Sequence, residues 1–146
     1  NQGDVFLNVG FGTGVYDGVK IFDGDLKEFE LADVKILSEK VSLQKGTVNN
    51  GGSNVYQLSV QNGAKVVMVA ENTSNNNKEF FEFGVIDNGT DIFHTEYGNV
   101  RTGEQLIVPT FEKTASGFAR VNFDIGSSVT AGHNVVVTIV SNINKK

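Results

Sequence analysis

Residues 79 to 97 read Glu79-Phe80-Phe81-Glu82-Phe83-Gly84-Val85-Ile86-Asp87-Asn88-Gly89-Thr90-Asp91-Ile92-Phe93-His94-Thr95-Glu96-Tyr97. An Asn-Gly corner stands between two runs of aromatic and β-branched residues, the strongest short-range signal for a β-hairpin. This stretch predicts a pair of antiparallel strands before anything else is known of the chain.

The same period continues on both sides. Tyr56, Leu58 and Val60 alternate with Gln57 and Ser59, the pattern of a half-buried strand. Gln61-Asn62-Gly63 tolerates positive φ, and Lys65 to Glu71 resumes an extended run, so the two segments are expected to pair as a hairpin. Asn72-Thr73-Ser74-Asn75-Asn76-Asn77-Lys78 is polar throughout and predicts an exposed loop leading into the 79 to 97 hairpin. Ala119, Val121, Phe123 and Ile125 alternate with Arg120, Asn122 and Asp124, a strand with one wet face. Val135, Val136, Val137, Ile139 and Val140 are apolar on both faces, which places their strand centrally or against a partner subunit. Val135, Val137 and Ile139 are the expected subunit contacts. Pro109 cannot donate to a ladder, so Gln105 to Phe111 is an edge strand or leaves the sheet there. Residues 34 to 44 fit a strand or a short amphipathic helix equally well, and the first thirty read as short strands and turns broken by glycines.

About eight to ten short runs separated by turn residues match an antiparallel β-sandwich of jelly-roll or Ig-like kind, with no βαβ alternation. At 146 residues, 39% of them apolar, one domain spanning 1 to 146 is expected, and roughly 70% of the unfolded chain's surface can be buried in one core. There is no Cys, so packing alone must hold the fold, and a thiolate nucleophile or Cys-based zinc site is excluded. A net charge of −5 opposes a nucleic-acid partner, whose phosphates need Lys and Arg. No apolar run is long enough for a spanning helix, so membrane insertion is not expected. A start at Asn1 rather than Met is read as that of a fragment or processed product.

Motifs for chemistry are weaker than those for shape. Gly10-Phe11-Gly12-Thr13-Gly14 lacks the spacing of a dinucleotide fingerprint and the Lys-Ser/Thr pair of a P-loop, which leaves turn or close-packing glycines. Asp17, Asp23, Asp25 and Glu28 lack the ordered spacing of a calcium loop. His94 and Glu96 lie two apart on one strand and share a face, the geometry of a metal or acid-base pair, although a catalytic metal normally takes three protein ligands. No nucleophile elbow is present. The chain is therefore expected to be no enzyme and to need no cofactor or metal.

The run Val55-Tyr56-Gln57-Leu58-Ser59-Val60-Gln61-Asn62-Gly63, then Phe83 through Asp87-Asn88-Gly89-Thr90-Asp91 to Thr95-Glu96-Tyr97-Gly98-Asn99-Val100-Arg101-Thr102-Gly103, resembles a module of structural proteins of marine tailed bacteriophages, especially cyanophages. There a V-x-D-G-T hairpin leads into a T-E-Y-G box. The similarity continues through Phe111, the strand at Phe118 to Val121 and the closing strand at 134 to 140, about the last ninety residues. The resemblance implies a non-enzymatic virion component assembled in the host cytoplasm, either a tail-fibre or other appendage domain or a capsid decoration. It implies partners among other virion proteins or copies of itself, and a host surface glycan as a further contact. Asn75 and Asn76 in the polar loop, Asn88 and Asp91 in the turn, and His94 and Glu96 beside it are the surface residues this reading puts forward. A carbohydrate-binding β-sandwich is the alternative.

Overall fold

The computed structural model describes residues 28 to 30, 32 to 46 and 55 to 145. Among these there are nine strands and no helix: β1 Glu28–Glu30, β2 Val34–Gln44, β3 Tyr56–Ser59, β4 Gly63–Asn72, β5 Lys78–Asp87, β6 Ile92–Arg101, β7 Ile107–Lys113, β8 Ala119–Ile125 and β9 Asn134–Asn144. They form a six-stranded sheet in the order β1-β2-β9-β4-β5-β6 and a three-stranded sheet in the order β3-β8-β7. Every pairing is antiparallel. The expected all-β sandwich is the observed architecture. The glycines at 10 to 14 and Asp17, Asp23 and Asp25 lie outside the described residues.

Period-2 alternation decides which side chains meet. Val66, Met68 and Ala70 of β4, Phe81, Phe83 and Val85 of β5, and Val135, Val137 and Ile139 of β9 are buried on the inner face of the large sheet. Opposite them lie Leu58 of β3 and Val121, Phe123 and Ile125 of β8. Phe83 bridges the layers, with its ring centroid 5.4 Å from Phe111 and 6.1 Å from Phe123. Aromatic pairs at such separations add to the area they bury.

Two expectations need correction. Val55 to Val60 does not form a hairpin with the following strand. Gln61 takes φ 49° and the Gly63 N–H donates to Val60 O at 2.9 Å, so the turn is tight, but it carries the chain from one sheet to the other. Both edges of β4 are taken by β5 and β9, so β3 pairs with β8 instead. The second correction concerns the closing strand. Central it is, paired along its length with β2 and β4. Val135, Val137 and Ile139, however, are fully covered by the chain's own core and have no surface left for another subunit. Residues 34 to 44, ambiguous from period alone, are extended because they pair throughout with β9. Pro109 sits in β7, an edge strand as expected.

Candidate functional site: the outer face of the large sheet

β5 and β6 form the hairpin that the sequence announces, closed by residues 88 to 91. Asn88 closes it by its side chain, its Oδ1 accepting from the N–H of Thr90 at 2.9 Å and of Asp91 at 2.8 Å. Gly89 alone takes the positive φ, 94°. Further along, Glu82 faces Gly98 and Phe83 faces Glu96, which leaves Tyr97 as the extra residue of a β-bulge. The T-E-Y-G box is thus the sequence of a bulge. Tyr97 lies on the outer face over Gly84, where a Cβ would come within 3.0 Å of its hydroxyl oxygen. Gly63, two strand positions away across the sheet, is equally constrained: a Cβ there would meet Val85 O at 2.8 Å.

A trough of about 1000 Å³ crosses the outer face beside these glycines. Phe93 and Tyr97 wall one end and Asn142 and Asn144 the other, with Lys65 and Glu82 between. Lys65 Nζ lies 2.9 Å from Glu82 Oε1, and that bond holds the ammonium pKa above its ordinary value. Tyr97 is 64% exposed and Phe93 51%. Toward the other end of the same face, the register sets Val100, Phe80 and Val69 side by side across three strands as an exposed apolar row.

The residues singled out from sequence are dispersed. Asn75 and Asn76 lie at the tip of the β4–β5 turn, where Asn76 takes φ 61°. Asn75 Nδ2 donates to Glu104 Oε1 at 3.0 Å, as does Asn72 Nδ2 at 3.1 Å, and Asn77 Nδ2 donates to the other carboxylate oxygen. These bonds, Asn75's above all, lower the Glu104 pKa. Asn72 is buried rather than part of an exposed loop, because its amide also meets His133 Nδ1 at 3.1 Å. Asp91 is exposed at the end of the β5–β6 turn.

His94 and Glu96 do share a face, the one turned toward the small sheet, and both are exposed. The His94 ring stacks on Phe111, centroids 3.8 Å apart and planes 7° from parallel. With Asn99, Arg101 and Gln105 they edge a smaller cleft of about 220 Å³ between β6 and β7. Among the described residues no three His, Asp or Glu side chains are placed to hold a metal ion.

Glu79 escaped the sequence reading. It is buried in the stripe of Phe81, Phe83 and Val85, and its Oε2 accepts from the N–H of Leu106 at 2.6 Å and of Ile107 at 3.3 Å. Arg101 Nε donates to its other oxygen at 3.4 Å. One carboxylate thereby ties β5 and β6 to the start of β7. A charged residue in phase with an apolar stripe was the available signal.

No protein-family model matches the chain, and no curated protein does. Among solved structures the chain is similar to the tailspike protein of Acinetobacter baumannii phage AM24, at 12% identity over 77% of this chain with a TM-score of 0.43. The tailspike of Acinetobacter phage vB_ApiP_P1 gives 15% identity over 92% with a TM-score of 0.44. That of Acinetobacter baumannii bacteriophage Fri1, a capsular polysaccharide depolymerase, gives 15% over 81% with a TM-score of 0.41. The matched part covers 26%, 26% and 19% of those chains. Likenesses this loose carry no argument about function, which has to be read from the residues.

Proposed function

We propose that the chain is a non-enzymatic structural module of a tailed-phage virion, exposed on the particle in a tail appendage or as a capsid decoration. The observation that carries this reading is the role of the hairpin through which the chain resembles phage structural proteins. Its signature residues are spent on shape: Asn88 and Gly89 close the turn, and Tyr97 forms the bulge over Gly84. Glu79 and the phenylalanine cluster likewise lock the two sheets together. A rigid scaffold of this kind suits a load-bearing part. Gold-labelled antibody to the purified domain should decorate phage particles grown from the source virus, at the tail for an appendage and over the head for a decoration. Particles left unlabelled would remove the reading.

One observation favours a second reading, a carbohydrate-binding module. Tyr97 and Phe93 present exposed rings at one end of the trough and Asn142 and Asn144 carboxamides at the other, a combination that accepts both the apolar face and the hydroxyls of a sugar chain. A glycan array probed with the domain and with its Tyr97→Ala variant checks it. Binding that Tyr97→Ala abolishes supports it, and absence of binding to every glycan removes it.

A further inference from the structure

We infer that two copies of this chain pack face to face through the outer surface of the large sheet, the Val69, Phe80 and Val100 row of each seated in the trough beside Phe93 and Tyr97 of the other. This rests on reading the chain as a structural module and names its partner. Eight of the ten large apolar side chains left exposed among the described residues stand on this one face. Concentrated exposure of that kind marks an interaction surface, whereas scattered single residues do not.

Shape, charge and area select a second copy as the occupant. The face has an exposed apolar row at one end and, at the other, the trough lined by Lys65, Glu82, Phe93 and Tyr97. Val69 and Gly63 are six residues apart on β4, roughly 20 Å along the strand. A twofold axis lying in the contact plane, perpendicular to the strands, turns one copy end for end and sets each row over the other's hollow. That is the self-complementary contact an isologous dimer needs. Lys65 with Glu82 and Lys78 with Glu71 are already ion pairs within the face, and Lys40 stands on β2, outside the row and the trough, so closing these leaves the paired charges paired. The five long strands are separated by four spacings of about 4.8 Å and run for about ten residues of 3.3 Å, a face of roughly 600 Å². Two such faces bury about 1200 Å², the lower end of the range for specific interfaces.

Sedimentation equilibrium of the full chain tests this, together with the Val69→Lys/Val100→Lys double variant and Thr110→Lys on the opposite side of the molecule. The expected result is a dimer that strengthens or holds in high salt, is weakened about a hundredfold by the two lysines, and is untouched by Thr110→Lys. A cross-link guards against misfolding of the double variant. The native chain has no Cys, so Val100→Cys and Phe93→Cys chains mixed under mild oxidation should join to each other in preference to themselves. A chain that stays monomeric at high concentration, an oligomer indifferent to both lysines, or random disulfide pairing would each overturn the contact. A monomer that still labels virions would overturn this contact alone. Unlabelled virions would remove the appendage reading whatever the association state.

Discussion

The two outer faces of this sandwich come from strands of the same alternating kind and are finished in opposite ways. Outside the small sheet, Arg120 holds Glu112 by two parallel bonds of 3.1 and 3.0 Å, Asn122 adds a third at 2.8 Å, and Gln57 accepts from Arg120 at 3.3 Å. Outside the large sheet stand Val69, Phe80, Val100, Phe93 and Tyr97. Arg120, Glu112 and Gln57 are bonded to one another across the first face and Asn122 joins them through its Nδ2, so water is a sufficient neighbour there. The second face leaves apolar area that the described residues do not cover, and this difference separates a solvent face from a contact face.

The comparison breaks most completely if the sheets part, and Glu79→Ala is the variant to do it. It strands the N–H groups of Leu106 and Ile107, and the expected loss is about 3 kcal/mol or more, read from the urea midpoint. Next in size, Val100→Lys alone should weaken self-association about tenfold while moving the unfolding free energy by no more than about 0.5 kcal/mol. Arg120→Ala on the polar face should leave association unchanged, and sedimentation of both variants sharpens the contrast.

A smaller effect lies at alkaline pH. Burial, then the charges of Glu39 and Glu28, push the Tyr56 phenol from 10.0 up to about 12. The unfolded chain therefore ionises first, so stability is intact below pH 10 and declines between pH 10 and about 12. Tyr56 is only partly buried, and screening by the solvent that reaches it limits the decline to about 1 kcal/mol, which Tyr56→Phe should abolish in a pH series of thermal melts. The smallest effect belongs to the polar face. Asn122 and Arg120 hold the Glu112 pKa below its ordinary 4.5, so its contribution is present above that value and is lost as acid titrates the folded carboxylate. Glu112→Gln should flatten the acid side of the same series slightly.

Much of the fold was legible because period-2 patterns report which face is wet. The β5–β6 hairpin, the β8 stripe and the central place of β9 could be read this way. Pairing partners could not. Val55 to Val60 was expected beside its sequence neighbour because tight turns usually close hairpins, whereas the competition for the edges of β4 is invisible in a linear chain. The inward valines of β9 likewise fit a contact surface as well as a core, because alternation alone cannot tell the two apart. His94 and Glu96 share a face as expected, yet sequence gave no hint that His94 would stack on Phe111, a residue of the other sheet.

Local chemistry set the strands, the Asn88 turn and the bulge at Tyr97, since each depends on residues within a few positions of one another. Tertiary structure alone decided that Gly84 would lie under the Tyr97 ring and that Glu79 would meet the backbone of β7. It also gathered the outward-facing apolar residues of separate strands into one surface. The physical reason is that burial and sheet-edge pairing are shared among distant segments, so no stretch of chain carries by itself the information about what will cover it.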